Sequence, residues 1–226
     1  MSRGFLVFDM DGVLVDVSAS YREAIRQTVE HFTSAPLAFE EIQAYKNAGG
    51  WNNDWALSHR ISQDRGITVS YEAVVEEFQR RFLGESYDGL ILRETWIARD
   101  GLLEKLAAQF RLAVFTGRER AEARHTLKRF APDLVFEPMI CDEDVAEKKP
   151  HPEGLQRIAA MYPGEPLIYV GDTVDDARSA RRAGVPFIGI AAAGSPRAEE
   201  LRSLLSAEGA IAVIDNINEM EPVVNA

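Results

Sequence analysis

Residues 5–16 read Phe-Leu-Val-Phe-Asp-Met-Asp-Gly-Val-Leu-Val-Asp, and the architecture of the chain can be worked out from them. Phe5–Phe8 is apolar at every position, which is typical of a strand buried on both faces of a parallel sheet. Asp9 follows directly, so the sequence predicts an acidic side chain at the carboxyl end of that strand. Ligands of open parallel sheets bind beyond the carboxyl ends of the strands. This stretch therefore predicts both a fold class and the place of a site.

Similar short apolar runs recur later and alternate with helical patterns. They lie at residues 112–115, 167–170 and 187–190, with a weaker run at 134–140. Between them, apolar residues recur at the three- and four-residue spacing of amphipathic helices. This alternation predicts an α/β fold with a doubly wound, mostly parallel sheet, a Rossmann-like core.

Residues 16–94 break the alternation, because their apolar positions follow helical spacing throughout. So long a helical stretch after the first strand is better explained as an inserted module than as a single crossover. We therefore predict an α/β catalytic core of residues 1–15 and 95–226, interrupted by an α-helical insert of residues 16–94. The alternative is that these helices simply cover the sheet.

The composition limits the classes of function. With 226 residues, 46% of them hydrophobic, the chain is not disordered. Its 25 Lys and Arg against 36 Asp and Glu give a formal charge of −11, which argues against nucleic acid or an anionic membrane as the partner. The single cysteine, Cys141, and the lack of a stretch of about 18 apolar residues favour a cytoplasmic protein. Acidic residues also interrupt the one apolar segment that could suggest a signal peptide.

Polar residues follow three of the predicted strands at the point where each strand ends. Asp9 and Asp11 follow the first strand, Thr116 and Gly117 follow the second of the strong runs, and Asp172 follows the third. Carboxylates brought together at one sheet edge repel each other unless a cation lies among them. Oxygen ligands with an excess of negative charge suit a hard cation, of which Mg²⁺ is the favoured candidate.

Four segments resemble, in order, the motifs of the haloacid dehalogenase superfamily. Residues 9–16 resemble the first motif, Thr-Gly-Arg at 116–118 the second, Lys-Pro-His-Pro at 149–152 the third and Gly-Asp-Thr-Val-Asp-Asp at 171–176 the fourth. The resemblance spans essentially the whole core. The insert falls between the first and second motifs. In this the chain resembles the C1-capped phosphoglycolate phosphatase and β-phosphoglucomutase-like group, whose helical cap closes over the active site.

The resemblance implies catalysis through an aspartyl-phosphate. Asp9 would be the nucleophile, and Asp11 would protonate the leaving alcohol and then deprotonate the water. Thr116 and Gly117 would bind the phosphoryl group, and Lys149 would stabilise both that group and Asp9. From the sequence alone, Lys148 could replace Lys149 in that role.

The resemblance also implies a set of metal ligands. Asp9, Asp172 and the backbone carbonyl of Asp11 would hold Mg²⁺. Asp176 would position the waters of the metal or act as an outer ligand, and Asp175 is the less favoured candidate for that place.

Three further residues are candidates for binding substrate. Arg118 either reaches the substrate or forms an ion pair with a nearby glutamate, Glu119 or Glu122. Lys46 and Asn47 begin a predicted loop between helices, residues 46–55, whose cation, amides, glycines and tryptophans would suit a hydrophilic phosphorylated metabolite. The alternative is that the glycines of this segment end one helix and that Asn52 or Asn53 caps the next.

These features predict a Mg²⁺-dependent phosphatase that acts on a small phosphate monoester, such as a sugar phosphate or phosphoglycolate. The alternative is a phosphomutase of the β-phosphoglucomutase type, which uses the same motifs. A dehalogenase would need neither Mg²⁺ nor the second aspartate, and phosphonate cleavage would need a cap lysine that forms a Schiff base. A non-catalytic relative would be expected to have lost one of the residues Asp9, Asp11, Lys149 or Asp172, and all four are present. The oligomeric state stays open.

Overall fold

The computed structural model describes residues 3–225. Its strands are β1 (Phe5–Phe8), β2 (Val15–Asp16), β3 (Thr95–Trp96), β4 (Arg111–Phe115), β5 (Phe136–Ile140), β6 (Leu167–Gly171), β7 (Phe187–Ile190) and β8 (Ala212–Ile214). Its α-helices are α1 (Tyr21–Thr33), α2 (Phe39–Ala48), α3 (Asp54–Asp64), α4 (Tyr71–Phe82), α5 (Leu102–Ala107), α6 (Arg120–Phe130), α7 (Glu153–Met161), α8 (Val174–Ala183), α9 (Ala198–Ala207) and α10 (Met220–Val224). Short 3₁₀ helices lie at Leu90–Arg93, Asp142–Asp144 and Ile217–Glu219.

The main sheet has six strands in the order β5-β4-β1-β6-β7-β8, and all neighbours in it run parallel. The predicted α/β fold with a doubly wound parallel sheet is therefore confirmed. Strand β1 lies in the middle, and Phe8 at its end is paired with Val114 of β4 and Val170 of β6. The chain winds outward from β1 in both directions, which makes the end of β1 the switch point where such sheets bind ligands.

The hydrophobic run of β1 is buried as its composition predicts. All four residues of the strand are at most 1% exposed. Phe5 and Val7 belong to a core cluster that also contains Leu155 and Ile158 of α7 and Ala177 of α8. Cover on both faces removes the alternation of polar and apolar residues that a half-exposed strand would show.

The boundaries of the strands differ from the prediction at the edges of the sheet. Strand β5 begins at Phe136, two residues later than the apolar run, and Val135 before it is exposed. Strand β8 was not predicted at all. It has only three residues, Ala212–Ile214, and its run of apolar side chains is too short to stand out from the neighbouring loop.

The described residues divide into two compact units. One joins the segment that ends at Val15 to the segment that begins at Trp96, and it contains the six-stranded sheet. The other is Asp16–Thr95 and contains helices α1 to α4. Its helix α1 packs against α2, α3 and α4. The interpretation of this helical unit as a cap domain stays a prediction.

Aromatic packing and side-chain caps order the helical unit. The rings of Tyr21 on α1 and Phe82 on α4 lie 3.9 Å apart, and Phe78 lies beside both. Ser70 caps α4 by accepting a hydrogen bond from the backbone N–H of Ala73, as serine commonly does at this position. Across residues 3–225, no helix is both long and apolar enough to cross a membrane.

Candidate active site

The carboxyl end of β1 is held in place by its neighbours in the sheet. The N–H of Asp9 donates to the carbonyl of Val170 on β6 at 2.8 Å. On the other side of β1, the N–H of Thr116 donates to the carbonyl of Ile140 on β5 at 3.0 Å. The predicted nucleophile and the predicted phosphate-binding threonine are both buried. Each is therefore fixed by the backbone of a parallel strand rather than by a mobile loop.

Lys149 links two of the aspartates. Its Nζ lies 3.1 Å from Asp9 Oδ1 and 2.8 Å from Asp176 Oδ1, and its side chain is 1% exposed. The ammonium group also lies 4.7 Å from the centre of the Phe115 ring, within the range of a cation–π contact. Lys148, in contrast, has a 44% exposed side chain that pairs with Asp142. The structure thus brings Lys149 to the aspartates and leaves Lys148 on the surface.

Asp176 is an anchor for this lysine. Its Oδ1 lies 2.8 Å from the ammonium of Lys149 and accepts a hydrogen bond from the hydroxyl of Tyr169 at 2.7 Å. Its Oδ2 accepts from the N–H of Thr173 at 3.1 Å and from the Thr173 hydroxyl at 2.6 Å. A carboxylate has about four acceptor positions. Three hydrogen bonds and the ion pair with Lys149 are directed at these positions, and the role of Asp176 beside a metal stays a prediction.

The charges of the cluster shift its protonation equilibria. Burial raises the pKa of Asp9 to about 7; Lys149 opposes this rise, and the neighbouring Asp176 and Asp11 add to it. Burial alone would lower the pKa of Lys149, but the carboxylates of Asp176 and Asp9 outweigh it, and the pKa lies above its ordinary value. The ammonium is therefore charged at neutral pH. One lysine does not neutralise the cluster, and an additional cation would.

Three carboxylates converge as a metal site requires. Asp9, Asp172 and Asp176 each offer an oxygen, and these oxygens lie within 4.8 Å of one another. Asp9 Oδ1 is buried and makes no hydrogen bond of good geometry with the described residues, despite its charge contact with Lys149. A buried carboxylate oxygen without a hydrogen bond, close to a second acidic side chain, fits a hard divalent cation. The residues present therefore fit the predicted metal.

Gly12 allows the first motif to approach the fourth. Its φ is +70°, and a Cβ built on it would lie 2.1 Å from Asp172 Oδ2. Both the backbone conformation and the close approach exclude other residues at this position.

We expect Gly12→Ala to lower the affinity for Mg²⁺ by about tenfold or more, because the added methyl group displaces Asp172 and strains the turn. Titration of the metal against thermal stability measures this affinity. Gly194→Ala is the matched control, since Gly194 also has a positive φ, +82°, but a Cβ there would meet no atom within 4 Å. Equal metal affinity in both variants would contradict the prediction.

The structure gives Arg118 a partner that the sequence did not suggest. Its guanidinium is buried and forms an ion pair with Asp11. Its backbone N–H donates to the Thr116 hydroxyl at 3.2 Å, which shapes the turn after β4. The direct contact of Arg118 with substrate stays a prediction, as do phosphate binding by Gly117 and metal binding by the carbonyl of Asp11.

Lys46 and Asn47 lie in the helical unit, in the last turn of α2 rather than in a loop. Lys46 forms an ion pair with Asp54. Asn47 is buried; its side-chain oxygen accepts from Gln43 at 2.8 Å, but its Nδ2 makes no hydrogen bond with any described residue. Asn53 caps α3 by accepting from the N–H of Ala56, so the alternative prediction of a capping asparagine is confirmed. Substrate binding by Lys46 and Asn47 stays a prediction.

Two residues of the site, Thr173 and Tyr169, were missed from the sequence. Thr173 and Asp176 form a reciprocal capping box at the start of α8, and the spacing Thr-x-x-Asp could have indicated it. Tyr169 gave no such signal, because it lies within the apolar run of β6. Burial and the nearby Asp176 raise the pKa of Tyr169 well above its ordinary value, which keeps the phenol neutral and able to donate.

Comparison with known proteins agrees with this geometry. The chain is 36% identical over 193 residues to an imidazoleglycerol-phosphate dehydratase of Phytophthora nicotianae, but the match covers 82% of this chain and only 42% of that relative. It is 26% identical over 183 residues to a phosphoglycolate phosphatase of Cereibacter sphaeroides, with 80% of this chain and 82% of that relative covered. A crystal structure of a predicted phosphoglycolate phosphatase from Haemophilus somnus superposes with a TM-score of 0.76 over 99% of both chains, at 17% identity, and shows a shared fold.

The family itself is shown by a match along most of the chain. The family model for haloacid dehalogenase-like hydrolases matches residues 6–190, which include all four motif segments. The resemblance and the enzyme class predicted from the sequence, a hydrolase, are thereby confirmed. The chain belongs to the haloacid dehalogenase-like hydrolases.

Proposed function

We propose that this enzyme is a Mg²⁺-dependent phosphatase that hydrolyses a small phosphate monoester through an aspartyl-phosphate. One observation carries the proposal. Asp9, at the switch point of the sheet, contacts the buried ammonium of Lys149 and shares a carboxylate cluster with Asp172. This arrangement supports the proposal, because the carboxylate that would act as nucleophile lies beside positive charge, and stabilisation of developing charge is the main requirement of phosphoryl transfer.

The proposed chemistry has two steps. A carboxylate oxygen of Asp9 attacks phosphorus, the bond between phosphorus and the ester oxygen breaks, and Asp11 gives a proton to the departing alcohol. A water molecule then attacks the phosphorus of the aspartyl-phosphate, Asp11 takes a proton from that water, and inorganic phosphate leaves. Asp9 is regenerated as a carboxylate. The sum is ester plus water to alcohol plus phosphate.

Other residues of the site stabilise and orient the phosphoryl group. Lys149 offsets the negative charge that accumulates between Asp9 and the phosphate. Thr116 and Gly117 donate hydrogen bonds to the oxygens of the phosphoryl group. Asp9, Asp172 and the carbonyl of Asp11 would hold Mg²⁺, which would supply charge neutralisation for the phosphate oxygens.

The relatives suggest a small and strongly charged or polar substrate. One is a phosphoglycolate phosphatase, and another is an imidazoleglycerol-phosphate dehydratase of which this chain matches less than half. Phosphoglycolate and imidazole-bearing phosphate esters are therefore both worth testing beside sugar phosphates. We propose that residues 16–94 form a cap that selects the leaving group, with Lys46 and Asn47 as the first candidates for that selection.

The experiment is a measurement of phosphate release from a panel of esters, with Mg²⁺ and with a chelator. The panel contains phosphoglycolate, hexose and pentose phosphates, polyol phosphates, nucleotides and imidazoleglycerol phosphate, and sugar products are checked for isomerisation. We expect release that depends on Mg²⁺ and that the variant Asp9→Asn lacks. Lys46→Ala and Asn47→Ala should change the ranking of the esters more than the release from p-nitrophenyl phosphate.

Other results would change the assignment. Interconversion of a sugar phosphate primed by a bisphosphate, without net release, would identify a phosphomutase, which uses the same nucleophile. Release that persists in Asp9→Asn would contradict the aspartyl-phosphate mechanism. No turnover of any ester by a folded protein that binds Mg²⁺ would contradict the phosphatase proposal.

A further inference from the structure

Arg118 is a buried arginine whose role the sequence left open. Its side chain is 1% exposed, and it is the largest of the fully buried side chains in the described residues. A guanidinium is costly to remove from water unless its charge and its hydrogen bonds are met inside the protein. The partners of Arg118 therefore indicate what it does.

The guanidinium holds one oxygen of Asp11 from two nitrogens. Nε donates to Asp11 Oδ1 at 2.6 Å, and Nη2 lies 2.5 Å from the same oxygen. Nη1 donates to the hydroxyl of Thr126 on α6 at 2.8 Å, which fixes the other side of the group. A planar guanidinium that is itself anchored restricts the orientation of the carboxyl it contacts.

The geometry points to Arg118 as the residue that positions the Asp11 carboxyl for proton transfer. Both contacts with Arg118 are made by Oδ1, whereas the Asp11 side chain as a whole is 30% exposed. Oδ2 is then the oxygen that gives a proton to the leaving group and later takes one from water. The inference rests on the proposed function, and in it Arg118 acts through Asp11 rather than on the substrate.

The requirement for a positioned acid depends on the leaving group. When the bond between phosphorus and the ester oxygen breaks, a basic alkoxide or phenoxide needs a proton, whereas p-nitrophenolate leaves readily without one. A well-placed general acid contributes about 10² to 10⁴-fold to the rate. Misplacement of Asp11 should therefore slow esters of basic leaving groups selectively, which a general loss of folding or of metal binding would not do.

The test compares phenyl phosphate with p-nitrophenyl phosphate, which are similar in size and differ in leaving-group basicity. For Arg118→Met we expect kcat/KM for phenyl phosphate to fall about 10 to 100-fold more than kcat/KM for p-nitrophenyl phosphate. The quantity kcat/KM is chosen because it covers the step in which the leaving group departs, whereas hydrolysis of the aspartyl-phosphate is common to both esters. Arg118→Lys keeps a cation near Asp11 and should recover part of the loss.

Two controls make the result decisive. In an Asp11→Asn background, Arg118→Met should add little to the difference between the two esters, because the acid is already absent. If Arg118→Met does not fold by circular dichroism, Arg118→Lys takes its place in the comparison, and we expect a smaller but still selective loss.

The outcomes separate this inference from the proposed function. An equal loss of kcat/KM for both esters in the Arg118 variants would show that Arg118 only supports the fold, and it would overturn the inference while the phosphatase proposal stands. Failure of the wild-type enzyme to hydrolyse these esters or any ester of the metabolite panel would overturn the proposed function, and the inference with it.

Discussion

Asp9→Asn is expected to abolish phosphate release and yet to stabilise the metal-free protein. The loss of turnover should reach at least about a thousandfold, because the amide cannot act as the nucleophile. The gain in stability has a different cause. Burial raises the pKa of Asp9 to about 7, with a further rise from Asp176 and Asp11 and against the opposing charge of Lys149, so its ionised form is unfavourable in the fold. Above neutral pH, we expect the free energy of unfolding to rise by about 1 to 3 kcal/mol.

The pH dependence of this gain follows from the direction of the shift. The pKa of Asp9 rises from an ordinary 3.8 to about 7 on folding, so the folded protein binds this proton more tightly than the unfolded chain. The contribution of Asp9 to stability is therefore highest below about pH 4 and falls as the pH rises to about 7. The difference between Asp9→Asn and the wild type should be near zero at pH 4 and reach its full value above pH 7.

Thermal and urea unfolding at several pH values, in the presence of a chelator, measure this difference. Asp133→Asn is the matched control, because it makes the same chemical change at an exposed position. Added Mg²⁺ should reverse the order, since the wild type gains stability from the metal that the variant binds less well. A variant that is less stable than the wild type at pH 8 without metal would contradict the prediction.

Lys149→Met is expected to damage both stability and turnover. Without the ammonium, Asp9 and Asp176 lose the charge that both contact, at 3.1 and 2.8 Å, in a buried setting. Breaking a buried ion pair in this way costs about 3 to 5 kcal/mol. Loss of the positive charge beside the transferring phosphoryl group should also lower kcat by about 10² to 10³-fold.

The neighbouring lysine provides the control for this prediction. Lys148→Met removes the same charge one residue away, but that side chain is 44% exposed and pairs with Asp142 near the surface. Its effect on stability should stay within about 1 kcal/mol. Urea unfolding at pH 8 and steady-state kinetics measure both variants. Similar losses in the two would show that the buried position of Lys149 has no special role.

The part of the candidate site that lies at the ends of strands was predictable from the sequence. Asp9 follows an apolar run that is typical of a buried strand, and Thr116 and Asp172 follow similar runs. Because neighbouring parallel strands end at one edge of the sheet, the local sequence pattern was enough to predict that these residues lie close together. The edge strand β8 was not predicted, and the end of α2 at the glycines was predicted only as an alternative, since short apolar runs and helix ends carry weak local signals.

The contacts of the buried polar side chains could not be predicted in the same way. Arg118 and Asp11 are 107 residues apart, and nothing in the spacing of either indicates that they meet. Tyr169 reads as one more apolar position of its strand, although its hydroxyl donates to Asp176. Such pairings depend on which polar side chains are buried away from water, and the whole fold decides which ones are buried.

For this protein, the sequence by itself determined the fold class, the family and the edge of the sheet where the chemistry lies. Buried strands and the polar residues after them are recognisable from hydrophobicity and chain order alone. Only the tertiary structure decided that Lys149 rather than Lys148 contacts the aspartates, that protein groups contact the carboxylate of Asp176, and that Arg118 forms an ion pair with Asp11. The physical reason is that desolvation forces each buried charge to find a partner, and the partners come from segments that only folding brings within hydrogen-bond distance.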